Sequence, residues 1–309
     1  MTRTDSIVVW LLRAAWVTLP LTAGETIAAA TTQWDDPLRV VALILVWLAW
    51  GLVLVALLAP RPVGLTAVRA VVPLGVAVVS MMSPHVSRSA GASAVTALVV
   101  AFALALAPPF AVAAVNGPAY GDERRFPLKI PPALFLGPLP IAIALVGAGV
   151  TAPPLLLAAR QWVVGGVALV IGVPLAVVAV RSLHGLSRRF AVLVPAGFVL
   201  VDPSAISDPV LFRREHVVAL GALEPRARPD ADVVDLRLGA QHGGVSLALE
   251  TESDMIHVRR GRRRSEVVPT RLVWFAVSGR ETFLAQAGNR RLRVVRQAAM
   301  PPPSTTSYE

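Results

Sequence analysis

The stretch VVALILVWLAWGLVLVALL, residues 40–58, decides the class of this chain, because it holds no ionisable or amide side chain over its whole length. A backbone in hydrocarbon must satisfy its own hydrogen bonds, so an apolar run of roughly 20 residues reads as a helix across a bilayer. Five further runs flank it, at 7–30, 65–82, 90–110, 132–150 and 163–180. The composition agrees: 55% of the 309 residues are hydrophobic and only 16% are charged. The first run, interrupted by Arg13 and Pro20, has a small-residue triplet at Ala28–Ala30 like that of a signal-peptide cleavage site. The arginine inside its apolar region, and the spans that follow, make it an anchor instead.

Orientation follows from the basic residues of the short connections. The first connection holds Glu25, Asp35 and Asp36, with Arg39 at its end, and the third and fifth hold Arg88 and Arg160. The second holds Arg61, the fourth Arg124, Arg125 and Lys129, and the sixth span is followed by Arg181, Arg188 and Arg189. Even-numbered connections are the more basic, which predicts a multi-pass protein of the plasma (inner) membrane with both termini cytoplasmic.

Ion-coupled transporters, proton relays and voltage sensors need ionisable groups deep in the membrane. Here the first and third spans offer only Arg13 and Arg69, the latter near enough to an end to snorkel, and no Asp or Glu lies at a predicted midplane. A proton-coupled pump is disfavoured. Prolines 20, 73, 108, 109, 138, 140, 153, 154 and 174 lie in or beside the spans. They read as packing kinks, and as a second reading they suit a transporter or channel component for an uncharged or lipidic substrate. Glycines 147, 149, 165, 166 and 172 predict close packing of the fifth span on the sixth.

From Arg188 the pattern changes to short strand-sized runs separated by turn residues. RRFAVLVPAGFVLVD predicts two strands around Pro195–Gly197, and PVLFRREHVVAL, VVDLRLGA, VSLALE and TRLVWFAV supply more. SGRETFLAQAGNRRLR reads as a helix, with Ser278 and Glu281 at capping-box spacing and Phe283, Leu284 and Ala287 on its apolar face. The predicted fold is therefore an α-helical polytopic membrane bundle of six transmembrane helices (1–182). A small β-rich soluble domain closed by a C-terminal helix (188–298) follows, and then a disordered tail (299–309).

Five arginines, Arg259, Arg260, Arg262, Arg263 and Arg264, crowd into six residues broken by Gly261. On a membrane-tethered domain such a segment would contact anionic lipid headgroups at roughly 1 kcal/mol per basic residue. It reads equally as a solvated hairpin tip, partly neutralised by Glu252, Asp254 and Glu266. Each part of the chain nets +5, and no nucleic-acid fold signature appears, so no nucleic-acid partner is expected. In the fourth connection, Asp122, Glu123, Arg124 and Arg125 would dock onto the soluble domain or a partner, or form an ordinary solvated positive-inside loop.

The five histidines are scattered and there is no cysteine, so no metal site, disulfide, cofactor or cysteine nucleophile is expected. Asp202 and Asp208, each before a proline, read as turn residues rather than a carboxylate dyad. Neither a nucleophile elbow nor a Walker loop occurs, so no catalytic residue is assigned. A membrane-embedded enzyme would have to bring Asp122, Glu123 and His184 together.

Three segments carry a family resemblance: RAAWVTLPLTAGE (13–25), AYGDERRFPLKIPP (119–132), and RRFAVLVPAGFVLVDP with DPVLFRRE (188–203 and 208–215). Through them the chain resembles an actinobacterial family of integral membrane proteins with a C-terminal pleckstrin-homology-like (PH-like) domain. The dominance of arginine over lysine, of which Lys129 is the sole example, suits a GC-rich bacterial genome. The resemblance implies architecture and no activity. The expected protein is a non-enzymatic one whose cytoplasmic PH-like domain scaffolds, binds a protein partner or second copy, or contacts anionic headgroups.

Overall fold

Apolar side chains in runs of about 20 residues leave the backbone no stable state in hydrocarbon but the helix. Among the described residues of the structure, a computed structural model covering residues 3–253, 256–259 and 265–295, six helices are long and apolar enough to cross a membrane. The chain is an integral membrane protein. It falls into two units, Met1–Gly117 with Gly137–Ser187, and Pro118–Leu136 with Arg188–Glu309. The stretch 118–136, expected as a loop of the membrane part as far as Pro131 and as the start of the fifth span from Pro132, belongs with the C-terminal unit.

In the helical unit the first span is broken, as α1 (Arg3–Thr18), a 3-10 turn at Leu19–Leu21 and α2 (Ala23–Ala30). Pro20 has no N–H to give the Trp16 carbonyl one turn earlier. The Trp50 indole, from α3 (Asp36–Leu58), donates to that carbonyl at 3.0 Å, and the Trp16 indole donates back to the Trp50 carbonyl at 3.0 Å. Arg13 spends its charge locally. Its Nε donates to the Leu57 carbonyl at 3.0 Å, at the C-terminal end of α3, and its guanidinium lies 4.7 Å from the Trp10 ring.

The third span is α4 (Pro62–Met82), continued by a 3-10 turn to His85. The fourth is α5 (Arg88–Leu106), followed after Ala107 by α6 (Pro108–Asn116), whose Phe110 and Ala114 are fully buried. These elements share one core that includes Leu12, Trp16, Leu57, Val68, Val72, Leu98 and Phe110.

The fifth and sixth spans are α7 (Pro138–Ala158) and α8 (Trp162–Ser187). α7 starts six residues later than the predicted Pro132 and runs through Pro153–Pro154 to Ala158. Residues 132–136 form a 3-10 turn that belongs to the other unit. A Cβ at Gly149 would overlap the Gly172 carbonyl, and one at Gly165 would crowd Leu157, so these glycines do bring α7 and α8 together. Gly147 instead admits Leu74 of α4, and Gly166 faces open space.

The C-terminal unit holds β1 (Arg124–Pro127), β2 (Phe190–Val194), β3 (Gly197–Val201), β4 (Val210–Arg213), β5 (Val217–Ala222) and β6 (Val233–Asp235). It continues with β7 (Gly244–Ser253), β8 (His257–Arg259), β9 (Ser265–Val267), β10 (Thr270–Ala276), α9 (Arg280–Asn289) and β11 (Val294–Val295). The first four strands form one sheet in chain order, all antiparallel. A second sheet runs β11-β5-β7-β10-β6, with β6 and β11 parallel to their neighbours, and β8 pairs with β9. The β2–β3 turn is the predicted one, with Val194 opposite Gly197. A side chain at Gly197 would collide with the Phe212 carbonyl of β4, which makes glycine necessary there.

Phe198, Phe212, Phe275 and Phe283 stack or meet edge-on at 4.9–6.3 Å in the core, Phe283 coming from α9. The predicted capping box is not used. Gly279 with φ 74° is the N-cap residue of α9 and no side chain caps the helix, while the Ser278 amide donates to the Pro127 carbonyl. The tail 299–309 lies outside the described residues.

Candidate functional site

The segment RRFPLK, residues 124–129, is short, basic and proline-containing, and on its own has no reason to be a strand. It becomes one because its neighbours offer an edge. β1 pairs antiparallel with β2 from Arg124↔Leu193 to Pro127↔Phe190. Pro127 lacks an N–H, which an outer strand tolerates. Phe126 and Leu128 then enter the aromatic core, Phe126 lying edge-on to Phe283 at 5.2 Å. The Lys129 amide donates to the Ala276 carbonyl at 2.9 Å.

Next to this strand lies the most deeply buried ion pair among the described residues. Arg189 donates from Nε to Asp202 Oδ1 and from Nη2 to Asp202 Oδ2, both at 2.7 Å, and from Nη1 to the Lys129 carbonyl at 2.8 Å. Asp202 Oδ1 also accepts the Ser204 amide at 3.0 Å, and both side chains are almost wholly shielded from solvent. Each guanidinium nitrogen and both carboxylate oxygens have a partner, so the pair clamps the 118–136 segment to β2 and the end of β3.

The expected turn role of Asp202 holds, its carbonyl accepting the Ala205 and Ile206 amides, and the ion pair with Arg189 adds to it. The signal was present: with Val194 opposite Gly197, the hairpin register places residue 189 opposite residue 202. A second bidentate pair, Arg237 to Asp235 at 2.8 and 2.7 Å, ties down the loop before β7 and lies over the Trp274 ring at 4.7 Å.

The four residues picked out in the fourth connection separate in role. Asp122 is exposed, and its carbonyl accepts from Arg290 Nη2. Glu123 pairs with Arg125 at 3.0 Å, and Arg125 stands 5.5 Å from the Phe190 ring. Arg124 is exposed at the first position of β1, and Tyr120 is exposed just before it. Asp122 and Glu123 belong to the C-terminal unit and His184 to the helical unit.

Of the arginine cluster, Arg259 closes β8 opposite Ser265 of β9, while Arg260, Arg262, Arg263 and Arg264 lie outside the described residues. The hairpin that flanks them is anchored. Ile256 is buried in the core, Val258 bridges Ile206, and the Ser207 amide donates to the His257 carbonyl at 2.9 Å.

His216 and Glu215 pair at 3.7 Å on the surface, and no group of three or more His, Cys, Asp or Glu converges among the described residues. In the helical unit one polar cluster stands out. Thr66 Oγ1 of α4 lies 2.9 Å from Ser187 Oγ and 3.1 Å from His184 Nδ1, both of α8. Compared with family models, curated proteins and solved structures, the chain matches none.

Proposed function

We propose that this is a non-enzymatic membrane protein whose C-terminal β unit is a docking module on the cytoplasmic side. There it holds a protein partner or meets anionic headgroups through the Arg259–Arg264 segment. The observation that carries the reading is the insertion of α7 and α8, a complete membrane hairpin, between the paired strands β1 and β2. The chain enters this module twice, at Pro118 and again at Arg188.

The same insertion supports the topology. Residues 124–127 follow four spans and residues 190–194 follow six, and paired strands must share one side of the membrane, so α7 and α8 cross as a pair. Two sheets around an aromatic core, with a helix after β10, support a PH-like reading of the module. The buried charges of the unit are spent on structural clamps, which favours docking over catalysis.

The test uses the full chain reconstituted with the β unit outward in vesicles of phosphatidylcholine alone or mixed with phosphatidylglycerol. Trypsin cleavage within Arg259–Arg264 is expected to slow several-fold in the anionic vesicles. Equal cleavage rates in both would remove headgroup contact from the reading and leave the protein partner.

A further inference from the structure

We propose that the segment 118–136 meets the lipid of the bilayer interface at both its ends, through Tyr120 at one and Phe135 with Leu136 at the other. The contact needs no anionic headgroup and is independent of the docking role of the β unit. Single exposed apolar side chains are ordinary on a protein surface, so it is their position that informs. In the C-terminal unit Leu211, Leu238, Val267 and Val294 are 36–45% exposed. Leu136 and Tyr120, at 92% and 87%, are the two most exposed large apolar side chains among the described residues, and Phe135 stands at 51%. All three flank the points where the chain passes between that unit and the helical one.

Chain length sets how far from the membrane these side chains can lie. α7 begins at Pro138, and its 21 residues rise about 31 Å, enough by themselves for the hydrocarbon core. Leu136 precedes Pro138 by two residues, at most about 7 Å, which is the depth of one headgroup layer. At the other end Gly117 lies so close to the Pro60 carbonyl that a Cβ would collide with it, and Pro60 is in the short connection between α3 and α4. Gly117 is therefore level with the ends of two spans, and Tyr120 follows within about 11 Å.

The residues suit that layer. Tyrosine joins an apolar ring to a polar tip, the combination enriched at membrane–water boundaries. Residues 132–136 form a 3-10 turn with no buried residue, and Pro132 has no N–H to leave unpaired. Hydrocarbon would not tolerate such a turn against lipid, whereas the hydrated interface does and still draws its apolar side chains out of water. The exposed apolar run continues past Gly137 through Pro138, Pro140 and Ile141 in the first turn of α7, so the 3-10 turn extends the lipid-facing surface of a span. That continuity favours lipid over a protein as the occupant.

The chain has no cysteine, so each single cysteine carries a spin label at one defined position. Tyr120→Cys, Phe135→Cys and Leu136→Cys, all at exposed side chains, are labelled in the full chain, with Ala196→Cys in the exposed β2–β3 turn as the control. The proteins are reconstituted in vesicles of phosphatidylcholine, with and without phosphatidylglycerol. Power saturation then measures collision of each label with oxygen, which partitions into lipid, and with a neutral nickel chelate, which stays in water. Relative to position 196, nickel collision is expected to fall severalfold and oxygen collision to rise, equally in both vesicle types, with the ratio of an interfacial depth.

Nickel collision as high as at position 196 would overturn the contact, placing these side chains in water. Low collision with both reagents would overturn lipid as the occupant and assign the surface to a protein. A ratio typical of the hydrocarbon centre would make residues 132–136 part of the span, and protection seen only with phosphatidylglycerol would give the contact to the arginine segment; either overturns the proposal. Equal trypsin cleavage of that segment in the two vesicle types leaves this expectation untouched.

Discussion

The two units treat a shielded arginine in opposite ways. In the β unit Arg189 and Arg237 each meet an aspartate through two hydrogen bonds of 2.7–2.8 Å. In the helical unit Arg13 makes do with a helix-end carbonyl and an indole face, and Arg69 has neither. The difference comes from the solvent each unit answers to. A carboxylate placed in a bilayer to serve an arginine is itself a costly charge, so membrane helices satisfy cations with dipoles, rings and lipid. In water the desolvated pair can be assembled from the chain's own residues.

The sharpest test of that contrast is Asp202→Ala. It leaves Arg189 buried without its anion and is expected to cost about 3–5 kcal/mol of the β unit's stability. Hydrogen exchange across β2 and β3 in the full-length protein reads the loss. The double change Arg189→Met with Asp202→Ala should recover most of it, because the buried pair is weak net stabilisation and strong only when halved. A single change no worse than a surface substitution would break the comparison.

In the bundle the corresponding debt is a backbone carbonyl. Trp50→Phe removes the donor that serves the Trp16 carbonyl and is expected to cost about 1–2 kcal/mol. Thermal unfolding in detergent measures it, and in a Pro20→Ala background, where the chain regains an N–H, the same change should cost little. Arg13→Gln should be the mildest of the three, about 0.5–1 kcal/mol, since it weakens a charge at a helix end without stranding a buried ion. A loss as large as that of Asp202→Ala would mean that the bundle depends on paired charge after all.

The spans were readable in the sequence because hydrocarbon admits one backbone solution, and six apolar helices answer to the six apolar runs, the fourth ending at Leu106 rather than Phe110 because Pro108 and Pro109 start a separate helix. The start of α7 was not readable. Residues 132–136, PALFL, are as apolar as a span, yet Pro118–Leu136 is built into the β unit. The expected end at Val150 failed for the opposite reason: Pro153 and Pro154 would stop a helix in water, but in a bilayer an unravelled turn has nothing to bond with.

β1 could not be found by periodicity, because four residues with a proline carry no pattern and their partner lies roughly 60 residues away along the chain. The Arg189–Asp202 clamp was the reverse case, fully encoded in a hairpin register that the sequence does reveal. The arginine cluster keeps the two readings its residues allowed, headgroup contact or solvated tip.

The insertion of α7 and α8 between β1 and β2 also sets a schedule for making the protein. β1 is synthesised first and waits as an unpaired edge while roughly 60 residues are translated and threaded into the bilayer, several seconds at about 5–20 residues per second. Only when both helices are in place, with their ends on the same side, does β2 arrive beside it. Pairing of β1 with β2 thus depends on the insertion of both helices. A chain that skipped one of its last two helices would leave β1 and β2 on opposite sides of the membrane, with Phe126 and Leu128 outside the core.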